Sequence, residues 1–176
     1  MSTLYTIGHS TRDLAEFSRV LQVQEIRVLA DIRAFPMSRR HPQYNREALE
    51  LWLPEIGIEY RWVQALGGRR KKILAESPNV ALRNDSFRNY ADYMLTAPFQ
   101  EAVAELVQLA DSTRVAIMCA ERVYFQCHRM MVSDYLVAHG HQALHIDNEK
   151  PPREHQLMKE ARMVDGELIY KGDRLF

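Results

Sequence analysis

Val115-Ala-Ile-Met-Cys-Ala-Glu121 is followed after four residues by Gln126-Cys-His-Arg129. A short apolar run stops at a thiol and a carboxylate. A second thiol, an imidazole and a guanidinium then open a segment with helical spacing. Such a strand–loop–helix unit puts reactive side chains outside the carboxyl end of a strand, where open α/β sheets bind their ligands.

The same unit recurs outward from this point. Leu4 to Ile7 reads as a strand halted by Gly8-His9-Ser10, with Thr11 capping a helix that places Leu14, Phe17, Val20 and Leu21 on one face. Residues 26–32 read as a strand buried on both faces. Pro36 and Pro42 bracket the basic loop Met37-Ser-Arg-Arg-His41, and Asn45 opens a helix carrying Leu49, Trp52, Leu53 and Ile56 that ends near Gly57. Residues 58–63 give a third strand, and residues 66–85 have no regular pattern. Helices are expected over 86–95 and 96–110, with Pro98 tolerated in the first turn of the second. Residues 114–119 then form a strand, 127–139 a helix and 143–146 the last core strand. A short helix is expected after Pro151-Pro152, and a hairpin over 163–171 around Asp165-Gly166. This alternation predicts an α/β protein: an open, mainly parallel sheet with helices on both faces, a Rossmann-like layered sandwich with a small C-terminal hairpin. The chain is expected to form a single domain over residues 1–176, with an appendage from about residue 151.

Gly8-His9-Ser10, Asp31-Ile-Arg33, Cys119-Ala-Glu121 and His145-Ile-Asp147 all fall at downstream strand ends. Parallel strands would bring all four to one rim. With 23 basic and 23 acidic residues among 176, net charge does not mark the chain as a polyanion binder, so a nucleic-acid contact must come from a local patch. Arg39-Arg40 and Arg69-Arg70-Lys71-Lys72 are the candidate patches. Two cysteines make no disulfide framework and suit a reducing cytosol. No stretch approaches the ~18 to 20 apolar residues of a membrane span, and the N-terminus has no signal-peptide pattern, so a cytoplasmic protein is expected.

Cys119 and Cys127 admit several chemistries. A cysteine at a helix start beside Arg129 favours its thiolate, giving a nucleophile or redox thiol, and the pair can close a reversible disulfide. Cys119, Cys127 and His128, with His9 or Glu121, are alternatively the donors of a divalent metal site. Both cysteines also fit as small buried hydrophobes. Arg129 and His128, at the first turn of a helix, suit a phosphate or carboxylate. On that reading Arg129→Ala removes anion binding and leaves the fold intact. A salt bridge from Arg129 to Glu121 or Asp134 is the other role. His9, Asp31 and Glu121 are acid–base candidates, with Cys119 or water as nucleophile. Ser10, Arg33, Ser38, Gly67, Gly68, Cys127, His128 and Arg129 are candidate substrate contacts. Asp31 and Arg33, two apart at a strand end, also fit as an ion pair.

In order, Thr6-Ile-Gly-His-Ser10, Asp31-Ile-Arg33, Pro36-Met-Ser38 with Pro42, Leu66-Gly-Gly68, and Cys119-Ala-Glu121 with Cys127-His-Arg129 resemble the bacterial and archaeal family known as domain of unknown function 488. His145-Ile146 fits its closing strand. Ile32 replaces the usual valine, and Tyr124 stands where many relatives carry proline, which is expected to reshape the rim. The resemblance implies an α/β sandwich with a shared polar pocket and brings no reaction with it. The leading expectation is a small cytosolic enzyme acting on an anionic, phosphate- or nucleotide-like substrate. A nucleic-acid-binding module and a Cys/His metal or redox site are the rivals.

Overall fold

The computed structural model describes residues 1–172. Its centre is a six-stranded sheet built from β1 (Thr3–Gly8), β2 (Val28–Asp31), β3 (Glu59–Trp62), β4 (Val115–Cys119), β5 (Gln142–Ile146) and β6 (Arg153–Glu154). The strand order is β3-β2-β4-β1-β5-β6. The first five are parallel, and β6 runs antiparallel to β5. The expected α/β architecture, with a mainly parallel sheet and a terminal hairpin, is the one observed.

Alternation along β4 explains its unbroken apolar run. Val115, Ile117 and Cys119 join one core, Ala116 and Met118 the other, and all five are buried. On the second face lie Phe17, Val20 and Leu21 of α1 (Leu14–Val23) and Leu49 of α2 (Arg46–Trp52). The first face is covered by α3 (Asp85–Tyr93), α4 (Ala97–Ala110) and α5 (Arg129–Ala138), through Tyr90, Phe99, Val103, Leu106, Met131 and Leu136. Adjacent strands β1 and β4 therefore send their following helices, α1 and α5, to opposite faces. Beyond their paired carboxyl ends the chain departs toward opposite faces, which marks the crevice position where open α/β sheets hold ligands.

Local details differ from the sequence reading for identifiable reasons. Asp13, not Thr11, caps α1, its carboxylate accepting the Glu16 N–H at 2.7 Å. The Asn45 side chain instead accepts the Ser38 N–H at 2.6 Å, which ties down the basic loop. Pro54 ends α2 early, and the 3₁₀ turn Pro54–Ile56 carries the chain to Gly57. The helix expected from residue 127 begins at Arg129.

Among the described residues, no helix follows Pro151-Pro152. The segment is extended as β6, and the His155 N–H bonds the Ala143 carbonyl at 2.8 Å, so it satisfies the otherwise open edge of β5. The hairpin pairs β7 (Ala161–Val164) with β8 (Glu167–Tyr170). Asp165 and Gly166 both have positive φ, 51° and 81°, as a two-residue type I′ turn requires. Ala161, Leu168 and Tyr170 pack into the same core as α4 and α5. Among the described residues, no helix is long and apolar enough to cross a membrane.

Candidate functional site

Three strand ends meet at the crevice, and the main chain fixes how. The His9 and Ser10 N–H groups bond the Cys119 and Ala120 carbonyls at 3.0 and 2.9 Å, so the loop after β1 rides on the loop after β4. Ile32 N–H similarly reaches the Met118 carbonyl at 2.9 Å. Gly8 makes the crossing possible, because a Cβ there would lie 1.8 Å from the Glu121 carbonyl oxygen. Ser10, the turn residue, is held at φ 52°, a conformation that side chains other than glycine rarely adopt and that clusters at ligand sites. The result is a cavity of about 810 Å³ whose lining includes His9, Ser10, Arg33, Ser38, Gly68, Arg69, Cys119, Glu121, Arg122, Cys127 and His128.

Beneath one wall is a buried ion pair. Asp31, fully buried, accepts from Arg33 Nε at 2.9 Å and Nη2 at 2.7 Å, and from the Tyr60 hydroxyl at 2.6 Å. Arg33 Nη2 also donates to the Tyr44 carbonyl at 2.6 Å. Its Nη1 lies 3.3 Å from His9 Nε2. A guanidinium only donates, so Nε2 is the acceptor and Nδ1–H bonds the Ser10 carbonyl at 2.9 Å. Burial, with Arg33 opposing protonation as well, brings His9 down to about 4. The ring, stacked on Tyr44 at 4.3 Å, is a neutral imidazole at neutral pH. His128 is neutral for the same leading reason, its pKa lowered to about 4 by burial. Its Nε2–H donates to the Ile32 carbonyl at 2.7 Å. Gly68 passes so close to the other side of that ring that a Cβ would sit 2.5 Å from Nδ1.

The two thiols form the floor. Cys119 and Cys127 Sγ atoms are 3.0 Å apart, both free and both buried. Cys127 also receives the Arg129 backbone N–H at 3.4 Å. The hydrogen bond from Cys119 lowers its pKa to about 7 against the opposing cost of burial, and the Arg129 charge adds to the effect. The same contact, followed by burial, pushes Cys119 well up. Of the two, Cys127 is thus the sulfur whose thiolate the site favours.

Arg129 opens α5, as the sequence reading has it, but its side chain does not reach the cavity. Its guanidinium is 1% exposed and absent from the cavity lining. Nη2 donates to the Glu121 and Arg122 carbonyls at 3.0 and 2.9 Å, and Nε is buried without a partner. The expectation that Arg129→Ala spares the fold is corrected accordingly, since this side chain holds the loop that forms the rim. Neither does it pair with the Glu121 or Asp134 carboxylate. Asp31 and Gly67 also lie behind the lining. Both Asp31 oxygens are engaged by Arg33 and Tyr60, and Gly67 gives close clearance to Ala34, 2.9 Å from a would-be Cβ.

The fourth strand end turns elsewhere. His145 bonds Thr6 and His155 away from the cavity, and only Asp147 reaches the rim, through Arg122 at 3.0 Å. The proposed metal donors are not assembled: among the described residues, no group of three or more His, Cys, Asp or Glu is placed to hold a metal ion. His128 spends Nε2 on the Ile32 carbonyl. Sequence reasoning missed Arg122, which has no pattern of its own. It also missed Arg12, buried at 2%, whose Nε and Nη2 bond the Gly8 and Asp147 carbonyls. Of the basic run, Arg69 faces the cavity and stacks over Phe35 at 5.4 Å. Arg70 is anchored over Tyr93 at 3.8 Å and to the Gly67 and Gln64 carbonyls.

In comparisons with known proteins, the family model described as domain of unknown function DUF488 matches residues 13–136. That span contains Asp31, Arg33, Gly68, the Cys119-Ala-Glu121 loop and Cys127-His-Arg129, while His9 and Ser10 precede it. No curated protein and no solved structure matches the chain.

Proposed function

The chain belongs to the DUF488 family, whose description assigns no activity, and from the geometry of its cavity we propose a small enzyme that acts on an anionic, phosphate- or nucleotide-like substrate. One observation carries this reading. Arg33, Arg69 and Arg122 converge on a cavity of about 810 Å³ whose lining has, among the described residues, a single carboxylate, Glu121. Asp31 and Asp147 hold two of these guanidiniums in place from outside the lining without occupying it. Arg33 has Nη1 left to offer beyond its bonds to Asp31 and Tyr44, Arg122 bonds Asp147 through Nε, and with Arg69 at the mouth these guanidiniums suit phosphate or carboxylate oxygens.

Roles follow from protonation and position. Arg69 and Arg122 meet the anion at the mouth, and Arg33 meets it below. His9, neutral, gains a free Nε2 lone pair when Arg33 Nη1 turns to the substrate, which makes it the general base. Glu121, exposed at the mouth, exchanges protons with solvent. The nucleophile is Cys127, the thiol whose charged form the site favours, in place of Cys119. A free thiol pair suits a reducing compartment such as the cytosol.

The test is calorimetric titration of the protein with inorganic phosphate and with adenosine diphosphate at low salt. Replacing the exposed pair, Arg69→Gln with Arg122→Gln, is expected to weaken binding about tenfold for each guanidinium lost, with the melting temperature unchanged. Unaltered affinity in that variant overturns the reading. A single-stranded oligonucleotide that binds far better than the diphosphate, falls away steeply with salt and depends on Arg39, Arg40, Lys71 and Lys72 would replace it with the nucleic-acid reading.

A further inference from the structure

We propose that Cys127 and Cys119 are a working dithiol that exchanges with an anionic low-molecular-weight disulfide, Cys127 attacking and Cys119 resolving. The proposal rests on the anionic-substrate reading above and deepens it by naming the substrate class. Its ground is geometry. Two free cysteines, eight residues apart in sequence, lie 3.0 Å apart at the floor of the cationic cavity, and both line it. A disulfide needs a separation of about 2 Å, so closure asks for roughly 1 Å of movement. Cys127 has room for it, since it sits between a 3₁₀ turn at Tyr124–Gln126 and the start of α5, whereas Cys119 is fixed in β4.

The two sulfurs are not equivalent. Cys127 is 8% exposed against 2% for Cys119, so an incoming group meets Cys127 first. It is also the sulfur that accepts the Arg129 N–H, at 3.4 Å, while either sulfur can donate across the 3.0 Å contact between them. Each thiol has a carbonyl acceptor besides, Glu121 at 3.5 Å for Cys119 and Tyr124 at 3.7 Å for Cys127, so the backbone N–H and the greater exposure are what set Cys127 apart. Attack and resolution divide accordingly.

The steps balance. The Cys127 thiolate attacks one sulfur of the substrate disulfide, a protein–substrate S–S bond forms, and the substrate bond breaks. The first departing thiolate takes from solvent the proton that Cys127 had released. The Cys119 sulfur then attacks Cys127, and its proton goes to the second departing thiolate. The protein dithiol is oxidised by two electrons and the substrate is reduced to two thiols. A separate dithiol reductant restores the starting state. A cavity of about 810 Å³ rimmed by Arg69 and Arg122 is far larger than a peroxide needs and fits a carboxylate-bearing disulfide.

Reduced, desalted protein is mixed with glutathione disulfide, and separately with uncharged hydroxyethyl disulfide, while intact mass and released thiol are followed. Wild type is expected to lose two hydrogen atoms and to release two thiols from each glutathione disulfide. Cys119→Ser should stop at one glutathione moiety, mapped to Cys127, and Cys127→Ser should stay unmodified. Glutathione disulfide should react roughly tenfold faster than the uncharged probe, a preference lost in the Arg69→Gln, Arg122→Gln variant. The wild-type mass change needs no variant to fold, and melting curves of both serine variants guard the rest. No exchange in wild type, or the adduct on Cys119, overturns the proposal. If the diphosphate titration still succeeds in that case, the anion pocket stands and the thiol chemistry alone falls. Equal rates for the two disulfides overturn the substrate class, and absence of diphosphate binding as well removes the anionic reading beneath it.

Discussion

Arg129 shows how far one residue's role depends on what surrounds it. In the sequence it is a cation at a helix start, the pattern of an anion ligand. In the fold it is buried, its Nη2 spent on the Glu121 and Arg122 carbonyls, and its charge acts on the neighbouring thiols. Arg129→Met keeps the length of the side chain and removes the charge and both hydrogen bonds. It is expected to raise the Cys127 pKa above about 7, read from thiolate absorbance or alkylation rate against pH. Stability should fall by about 1–3 kcal/mol, because the Glu121 and Arg122 carbonyls lose the partner that ties their loop to α5. An unchanged thiol titration would mean that the Cys119 hydrogen bond, the larger cause, holds the thiolate alone.

At the scale of elements, the site is a consequence of how the ends of β1 and β4 cross. Gly8 is required there by space, not by unusual backbone, since its carbonyl neighbour leaves no room for a methyl group. Gly8→Ala forces the loop after β4 outward, and with it Cys119, Glu121 and Arg122. The expected outcome is a destabilisation of about 1–3 kcal/mol, in the range of overpacking. Binding of the diphosphate should weaken at the same time, checked by thermal melting and calorimetry on one sample. Gly8-His9-Ser10 was legible as a ligand-approach loop because glycine beside polar residues at a strand end is a local signal. That the partner loop is residues 119–122 was not local, as it depends on β4 inserting between β1 and β2.

Across the whole molecule, a buried polar chain ties the C-terminal segment to the sheet. Thr6 meets His145 at 2.6 Å, His145 meets His155 at 2.8 Å, and His155 meets the buried Asp134 of α5 at 2.7 Å. Tyr170 of the hairpin completes it, its hydroxyl donating to Asp134 at 2.8 Å. Burial lowers His145 to about 3, as it lowers His9 and His128 to about 4. All three fold as neutral rings that protonate near 6.5 when unfolded. Their contribution is fully present above 6.5 and is lost as pH falls from there toward 4 and 3, because in that window the unfolded chain binds the extra protons. Each fully shifted histidine costs ~1.4 kcal/mol per pH unit. As set by these three rings, the melting temperature is therefore expected to drop steeply below pH 6.5. A flat profile down to pH 4.5 would show that these rings protonate without unfolding the chain.

Local chemistry and residue period were enough to read several features directly from the chain. The uninterrupted apolar run of β4 implied burial on both faces, the alternation of strands and helices implied a mainly parallel layered sheet, and Asp165-Gly166 implied the hairpin turn. His9, Ser10, Arg33, Glu121 and both cysteines stood at strand or helix ends, so their gathering at one rim followed from parallel strands. Only the tertiary structure decided which of them face the cavity. Strand order put β4 beside β1 and sent α1 and α5 to opposite faces, and that opened the crevice. Desolvation then sorted the polar groups. Asp31 and Arg129 were buried against fixed partners, His145 was drawn into the chain toward Asp134, and Cys119 and Cys127 were brought within contact of each other. Side-chain direction at the close of a strand depends on which neighbour is packed beneath it, and that neighbour comes from a distant part of the chain.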